Sequence, residues 1–241
     1  LCNGVENEAA LANVLGEENV IAGTVTSAVG RRAAGNIVLE RLRGVGIAAD
    51  HPLSKQLTAT LDAAELNAQI YPRADEMKWS KLLTNLIANA SSAILDMPPA
   101  EIFAHPGLYR LEIAQLREAL SVMRAQNIGV TNLPGTPVKA LAFAASSLPA
   151  WLSQPFLSKA LAGGRGEKMP SFHIDLHSGR QQSEVNHLNG AVVRAGQQAG
   201  IPTPVNQALT ETLMGLTRGE IPLSSFRKQP KKLIARASRV S

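Results

Sequence analysis

All strand signals in this chain lie before residue 75, and this asymmetry constrains the fold more than any other feature. The 241 residues begin with a third that mixes predicted strands and helices. Only helices are predicted after it. A mixed segment followed by a helical one favours two domains. We therefore predict an α/β domain over residues 1–74, an all-helical domain over 75–225 and a basic tail over 226–241.

The first third is predicted to contain three strands and two helices. Residues 20–26 (VIAGTVT) are rich in β-branched side chains. Residues 36–42 (NIVLERL) alternate in part between apolar and polar, as a half-buried strand does. A short strand over 69–71 ends at Pro72. Helices are predicted over 7–15 and 52–66, the second with Pro52 in its first turn.

Two glycine-rich runs resemble nucleotide-binding loops only superficially. Residues 44–49 (GVGIAA) fit G-x-G-x-x-A, but Asp50-His51-Pro52 follow instead of a helix opening at the second glycine. A bound phosphate needs that helix N-terminus, so we interpret the run as a turn. Residues 163–168 (GGRGEK) have the wrong spacing for a phosphate loop. We interpret them as a mobile connection between two helices, in which Arg165 or Lys168 could bind an anion.

The rest of the chain is predicted to be helical. Gly200 and Pro202 end one helix, and Thr203 with Pro204 begins the next. The helix before Gly200 is predicted to start near Ser183. The predicted helices span 75–96, 109–126, 137–147, 150–161, 182–199 and 204–218.

Composition excludes several classes of protein. A single cysteine, Cys2, rules out an internal disulfide framework and indicates a reducing compartment. No apolar run reaches the roughly 18 residues of a membrane span. The first residues lack the basic and apolar regions of a secretion signal. We therefore expect a cytoplasmic protein without a membrane partner. The chain also starts without methionine, as if inside a folded unit, so we interpret it as a fragment.

The net charge of +5 comes from the tail. Setting its six basic residues aside from the 24 leaves 18 basic and 19 acidic residues, so the body is near neutral. Such a tail either contacts nucleic acid or a membrane, or is a frayed, solvated terminus. No aromatic interleaving or recognition motif accompanies it. We therefore favour the frayed terminus and predict no nucleic-acid partner. The six residues are Arg227, Lys228, Lys231, Lys232, Arg236 and Arg239.

A polar ladder is predicted on one helix of the second domain. Lys81, Asn85 and Asn89 are four residues apart, which keeps them on one face at about 100° per residue. One interpretation is a solvated helix face. However, asparagine is a poorer helix former than the best residues by roughly 0.5 kcal/mol. Two such residues inside a helix indicate a use for their amides.

A second polar segment precedes Gly200. Glu184 lies at a predicted helix start, where the helix dipole favours a carboxylate. It is either an ordinary first-turn glutamate after Ser183 or a carboxylate that orients an ammonium group or a substrate hydroxyl. Ser171 and Asp175 precede it in a predicted polar loop. The spacing of the histidines matches no usual ligand set and no cysteine joins them, so we predict no metal site. These histidines are His173, His177 and His187.

Together these residues resemble the ketopantoate reductase (2-dehydropantoate 2-reductase) family over most of the chain. Asn3-Gly4 resembles the turn that follows a strand of the family's nucleotide-binding domain. Residues 79–89 (WSKLLTNLIAN) resemble its W-x-K-L-x-x-N-x-x-x-N helix. Ser171, Asp175, residues 183–190 (SEVNHLNG) and residues 200–206 (GIPTPVN) resemble its distal signature. In this order and at this separation the segments are specific.

The resemblance implies an NADPH-dependent reductase that acts on a small 2-oxo acid. Its fold would be the C-terminal remainder of a Rossmann domain followed by a helical domain resembling that of 6-phosphogluconate dehydrogenase. Lys81 would be the general acid, and Glu184 would orient Lys81 or a substrate hydroxyl. Substrate would be bound by Asn85, Asn89 and Ser171. Asn3 would lie near the nicotinamide ribose. A homodimer is compatible with this assignment.

Two departures from the family leave alternatives open. The opening strand and its G-x-G-x-x-G turn are missing. The stretch from Ser171 to Glu184 is slightly longer than in well-known members, and Lys168 stands where some carry an asparagine. The first alternative is a related reductase of the same fold, such as an opine-type or 3-hydroxy acid dehydrogenase. The second is a non-catalytic helical module that has lost its cofactor site.

Overall fold

A computed structural model describes residues 1–149, 152–155, 157–158 and 169–239. Its residues group into two compact units. Unit 1 comprises Leu1–Thr84 and Ile128–Lys139, and unit 2 comprises Asn85–Asn127 and Ala140–Ser241. The predicted domain boundary near residue 74 stays a prediction.

Unit 1 contains a three-stranded sheet and a separate hairpin. The sheet has the order β1-β4-β5, with β1 antiparallel and β5 parallel to the central strand. The hairpin pairs β2 with β3 in antiparallel fashion. The strands are β1 (Gly23–Val25), β2 (Ala28–Ala33), β3 (Asn36–Arg41), β4 (Val45–Ala48) and β5 (Ala68–Tyr71).

The central strand β4 corrects the prediction of a turn over residues 44–49. All four of its residues are buried. A Cβ added at Gly46 would lie 2.8 Å from Met77 Sδ and 3.0 Å from the Tyr71 ring, so this glycine allows close packing of the sheet. Gly44 has φ +144°, and a Cβ there would lie 2.3 Å from Asn67 O. The glycine spacing therefore serves core packing.

The hairpin differs from the sequence prediction in two ways. Strand β2 was not predicted, because its sequence AVGRRA carries few residues of high strand propensity. Strand β3 was predicted to be half-buried, yet five of its six residues are exposed. Its apolar alternation includes Ile37 and Leu39, whose side chains are 69% and 52% exposed. Alternation alone therefore did not identify a buried face.

The two predicted helices of the first third are confirmed. They are α1 (Asn7–Leu15) and α2 (Ser54–Ala63). Helix α2 connects β4 to β5, which run parallel, so β4-α2-β5 is the crossover unit expected of a Rossmann-type sheet. The strand predicted over 20–26 is shorter, because only Gly23–Val25 pair with β4.

The remaining described elements are helical apart from one isolated bridge between Leu133 and Thr136. Short 3₁₀ helices lie at Glu17–Asn19, Glu184–His187 and Leu223–Ser225. The α-helices are α3 (Ala74–Leu86), α4 (Asn89–Leu95), α5 (Pro99–Ala104), α6 (Pro106–Ala125), α7 (Val138–Ser147), α8 (Ser171–His177), α9 (Asn189–Ala199), α10 (Pro204–Thr217) and α11 (Pro230–Arg239). A partial Rossmann fold followed by a helical domain is therefore confirmed.

The single helix predicted over 75–96 is wrong, because the chain breaks it after Leu86. Ala88 adopts a left-handed conformation (φ 51°, ψ 15°), and α4 begins at Asn89. The buried carboxylate of Glu112 accepts hydrogen bonds from Ala88 N (2.7 Å) and from Ser91 Oγ (2.6 Å). This acceptor satisfies a backbone donor that the break exposes.

The segment before Gly200 also differs from the prediction. Ser171 and Asp175 lie on helix α8 and not in a loop. The helix predicted to start near Ser183 is a 3₁₀ turn over Glu184–His187, and α9 begins at Asn189. Leu188 separates the two with φ −111° and ψ −81°, a conformation that no helix continues through.

The basic tail is folded, which corrects the prediction of a frayed terminus. Leu233 and Ala237 of α11 are buried in unit 2. Upstream of the helix, Lys228 N donates to Leu95 O at 2.8 Å. Leu233 and Ala237, four positions apart, therefore pack one face of α11 against unit 2, and basic side chains lie on its other faces.

Two predicted segments lie partly or wholly outside the described residues. Of the helix predicted over 150–161, residues 152–155 and 157–158 are described and are helical. The glycine run 163–168, with Arg165 and Lys168, lies wholly outside the described residues. Within the described part of the chain, no helix has both the length and the apolar character needed to cross a bilayer.

Candidate active site

Lys81, the predicted general acid, lies on α3 in unit 1 and is half-buried. Its backbone oxygen accepts from Thr84 Oγ1 at 2.8 Å. The preceding residue, Ser80, is fully buried and accepts from Thr131 N at 2.9 Å. The next residues, Leu82 and Leu83, are each 1% exposed. These contacts fix the rotation of α3, which leaves Lys81 at the edge of the buried face.

Lys78, which sequence reasoning did not single out, is the most enclosed lysine of this helix, at 4% exposure. Its ammonium group donates to Glu8 Oε1 at 2.5 Å, to Cys2 O at 2.6 Å and to Gly23 O at 3.4 Å. Three acceptors match the three protons of an ammonium group. Lys78 therefore ties the first residues of the chain to β1.

Asn3, the predicted cofactor contact, lies in the segment that Lys78 anchors. The residue is exposed, and its backbone oxygen accepts from Asn7 Nδ2 at the start of α1. Gly4 follows with φ +88°, a conformation that glycine adopts without strain. The Asn3-Gly4 turn is therefore held at both ends by contacts within unit 1.

Asn85 and Asn89 lie on either side of the helix break in unit 2, and the structure brings them together. Asn89 Nδ2 donates to Asn85 O at 3.2 Å. Asn89 is 5% exposed, and its Oδ1 accepts from Phe172 N at 3.1 Å. The side chain of Asn89 thus links α4 to the first turn of α8. Asn85 is only half-buried.

Ser171 is the first residue of α8, directly before Phe172. Its side chain is exposed, whereas Phe172 is 1% exposed. The bond from Phe172 N to Asn89 therefore holds the backbone at the start of α8 close to α4. Asn85 and Asn89 are in direct contact, and Ser171 is the residue next to the Phe172 backbone that Asn89 binds.

Glu184 is exposed at the start of the 3₁₀ turn. Ser183 Oγ accepts from Val185 N at 3.2 Å and so caps this turn, as the sequence indicated. Glu184 lines an open cavity of about 710 Å³ within unit 2. An ion pair between Arg180 Nη1 and Asp175 Oδ1 (2.8 Å) lies at its wall. The lining includes both acids and bases, among them Asp175, Arg180, His187 and Arg218.

A buried amide network supports the helix that follows Glu184. Asn189 Nδ2 donates to Gln115 Oε1 (3.1 Å) and to Asn206 Oδ1 (3.0 Å). Glu118 accepts from Val205 N (2.8 Å) and Asn206 N (2.9 Å) at the start of α10. Burial raises the pKa of the Glu118 carboxyl, although these hydrogen bonds oppose the shift. The network fixes α6, α9 and α10 to one another.

Each unit, taken by itself, carries groups suited to a small hydroxylated acid. Unit 1 carries the Lys81 ammonium and the Asn3 amide. Unit 2 carries the Asn85 and Asn89 amides, the Ser171 hydroxyl and the Glu184 carboxylate. An ammonium can give a proton to a carbonyl oxygen, and the neutral and acidic groups can bind hydroxyls. The role of each residue stays a prediction.

The fold defines a class of two-domain proteins that join a Rossmann-type sheet to a helical domain. Within that class, residues 73–217 match the family profile described as ketopantoate reductase PanE/ApbA C terminal. The chain therefore belongs to the ketopantoate reductase family, which confirms the resemblance inferred from the sequence.

Proteins of similar sequence are 2-dehydropantoate 2-reductases. The 2-dehydropantoate 2-reductase of Pyrobaculum aerophilum is 28% identical over 168 residues, which cover 70% of this chain and 53% of the relative. That of Streptococcus pyogenes serotype M1 is 22% identical over 215 residues, covering 88% and 64%. The chain thus spans between about half and two thirds of the length of these relatives.

Solved structures agree on the fold. The ketopantoate reductase of Ralstonia eutropha JMP134 superposes with a TM-score of 0.73 at 24% identity, covering 90% of this chain and 65% of its own. A D-mandelate dehydrogenase in complex with NADH has a TM-score of 0.73 at 21% identity, covering 91% and 75%. The dimeric ketopantoate reductase of Staphylococcus aureus has a TM-score of 0.68 at 17% identity, covering 91% and 67%.

Proposed function

We propose that the protein containing this chain reduces 2-dehydropantoate (ketopantoate) to pantoate with NADPH, a step of pantothenate biosynthesis in the cytoplasm. The observation that carries this proposal is the family match over residues 73–217, which includes both Lys81 and Glu184. A homodimer is part of the proposal, in line with the dimeric relative.

The residues have separate roles in the proposed reaction. Lys81 donates a proton to the carbonyl oxygen of the 2-oxo acid as that oxygen gains negative charge. Glu184 accepts a hydrogen bond from Lys81 or from a substrate hydroxyl. Asn85 and Ser171 hydrogen-bond the hydroxyl and carboxylate groups. Asn89 is predicted from the sequence to bind substrate, but it is 5% exposed and its amide is engaged by Asn85 O and Phe172 N. Its proposed role is therefore to orient Asn85 and the start of α8.

The described residues fit one part of the cofactor and not another. When bound, NADPH supplies the hydride that reduces the carbonyl carbon. Asn3, which is exposed and precedes the buried Gly4, can offer its side-chain amide to ribose hydroxyls. Gly44 and Gly46 are enclosed by Asn67, Met77 and Tyr71, so they offer no room for phosphates. We assign only Asn3 to the cofactor.

A second candidate is a related reductase that acts on a different 2-oxo acid. The fold similarity to D-mandelate dehydrogenase favours keeping this alternative. Discrimination among substrates appears as a ratio of kcat/KM values. A panel of ketopantoate, pyruvate, 2-oxoisovalerate and benzoylformate separates the two candidates, with the highest kcat/KM expected for ketopantoate.

The decisive experiment is Lys81→Ala in the complete gene product that contains this chain. We expect kcat/KM to fall by about 10²–10⁴-fold, the usual contribution of a positioned proton donor. The Kd for NADPH should change little, because Lys81 acts on the substrate oxygen. Lys139→Ala, at an exposed lysine of unit 1, is the matched control and should leave both quantities unchanged.

Two outcomes contradict the proposal. Full activity in the Lys81→Ala protein excludes the assigned proton donor. Absence of NADPH oxidation with every 2-oxo acid in the panel, by a folded complete protein, removes the reductase assignment and favours a non-catalytic helical module.

A further inference from the structure

A compact cluster of two imidazoles and one carboxylate lies in unit 2, on α8 and at the end of α4. Asp96, His173 and His177 each offer one ligand atom, and these three atoms lie within 4.8 Å of one another. His173 Nε2 is 2.7 Å from Asp96 Oδ1. The two imidazole rings stack with their centroids 4.1 Å apart.

The local structure explains why these side chains converge. His173 and His177 are four residues apart on α8, which places both rings on one face of the helix. Asp96 follows α4 in a left-handed conformation with φ 50°. Asparagine and aspartate tolerate that conformation better than most residues. The turn directs the carboxylate of Asp96 towards the imidazole face of α8.

The cluster has the composition of a metal site. Two imidazole nitrogens and one carboxylate oxygen form a donor set used for Zn²⁺, with a fourth position left for water. Arg227 Nε lies 2.9 Å from Asp96 Oδ2, the oxygen that does not face His173. Such an outer contact orients a ligating carboxylate.

We propose that Asp96, His173 and His177 bind one divalent cation of the Zn²⁺ type. Imidazole and carboxylate donors bind Zn²⁺, Co²⁺ and Ni²⁺ in preference to Mg²⁺ or Ca²⁺, which prefer oxygen ligands alone. Coordination requires each imidazole to present an unprotonated nitrogen to the cation.

Cation binding would join α4 to α8. The same two helices are linked by the hydrogen bond from Phe172 N to Asn89 Oδ1, so the cation would reinforce the part of unit 2 that carries Asn89 and Ser171. The proposed cation has a structural role and takes no part in proton or hydride transfer. Cation binding can therefore be tested separately from the proposed reductase activity.

The test is titration of the metal-stripped, tag-free protein with ZnCl₂, followed by calorimetry and by thermal unfolding. We expect saturable binding of one Zn²⁺ per chain and a Tm that rises with Zn²⁺ concentration, as for any ligand that binds only the folded state. Titration with Co²⁺ should give the visible absorption of a four-coordinate cobalt site.

His177→Ala is the most informative variant, because this residue is exposed and its recorded polar contact, to Ala93 O, is 3.4 Å long. The fold should persist, which circular dichroism checks. Zinc affinity should fall by at least about 10–100-fold, the loss seen even for outer contacts of metal sites. Asp96→Asn should weaken binding similarly.

Two control variants separate this cluster from other surface donors. His187→Ala removes an exposed histidine of the 3₁₀ turn, and Cys2→Ser removes the exposed thiol. Neither should alter the affinity or the cobalt spectrum. The proposal is overturned if the wild-type protein shows no saturable binding, or if His177→Ala binds Zn²⁺ as tightly as the wild type.

Discussion

Two lysines three residues apart on α3 have different environments. Lys78 is enclosed by one carboxylate and two backbone oxygens, whereas Lys81 is half-buried. An ammonium group with three fixed acceptors is held in one position. This difference assigns Lys78 to the stability of unit 1 and leaves Lys81 as the proton donor of the proposed reaction.

Replacement of Lys78 should therefore destabilise unit 1. We expect Lys78→Ala to lower the free energy of unfolding by about 3 kcal/mol, the lower end of the cost of removing one partner from a buried pair. The cost stays at this end because the Glu8 side chain is 21% exposed and can regain water. Urea unfolding followed by tryptophan fluorescence measures it, with Lys139→Ala as control. A loss below about 1 kcal/mol would contradict a buried anchor.

At the scale of elements, the break between α3 and α4 determines which polar groups meet. A continuous helix would carry Lys81, Asn85 and Asn89 along one face. The left-handed Ala88 instead turns Asn89 so that it contacts both Asn85 O and Phe172 N. The site geometry in unit 2 therefore depends on one residue in a strained conformation and on the Glu112 carboxylate that accepts from its N–H.

Glycine substitution tests this strain. Ala88→Gly should cost at least about 1 kcal/mol less than Ala93→Gly, because a left-handed conformation disfavours a residue with a Cβ by roughly 1–2 kcal/mol. Both alanines are buried, at 0% and 1% exposure, so loss of the methyl group affects the two variants alike. Urea unfolding of the two proteins gives the difference. Equal costs would mean that Ala88 is not strained.

Substitution of Leu233 tests whether helix α11 is packed in the folded protein. Leu233 is 0% exposed, and burial of this kind makes Leu→Ala cost about 2–5 kcal/mol. Leu223, which is 42% exposed, supplies the control, with an expected change of about 0.5 kcal/mol or less. Hydrogen exchange of α11 in the two variants locates the effect. Equal, small changes would support the frayed tail that charge alone predicts.

Elements with local signals were predictable, and those set by tertiary contacts were not. Gly200 ended α9 and Pro204 opened α10, as the cap rules require. Strand β4 was missed because Gly46 inside it and Gly44 just before it weaken the strand signal, although close packing around Gly46 requires a glycine there. The folded state of the tail was not predicted, because its two buried apolar residues, Leu233 and Ala237, lie among many charged residues. Asp96 joins His173 only in space, so spacing along the chain could not reveal the cluster.

For the whole molecule, each compact unit holds one of the two tyrosines of the chain. Tyr71 at the end of β5 is 6% exposed, and Tyr109 on α6 is 0% exposed. Burial raises the pKa of Tyr71 from 10.0 to about 12. Burial also raises that of Tyr109, although its hydrogen bond to Ser153 and the charge of Arg117 oppose the shift. The two hydroxyls are therefore separate reporters of the two units.

Alkaline titration followed by tyrosinate absorbance should show both shifts. In concentrated urea the two tyrosines should ionise together near their ordinary value of 10.0. In native buffer little tyrosinate should form at that pH. Because both folded pKa values are raised, the associated stability is complete below pH 10 and is lost as the pH rises through the folded pKa values, so each unit should unfold in alkali as its tyrosine ionises.

Phenylalanine substitutions assign the signals to the units. Tyr71→Phe should leave only the signal of unit 2, and Tyr109→Phe only that of unit 1. If the remaining signal of either variant titrates near pH 10 in native buffer, the unit that holds that tyrosine does not bury it. If the two signals instead appear at one common pH in the wild type, and the single remaining signal of each variant appears at that same pH, the two units unfold in alkali as a single cooperative structure.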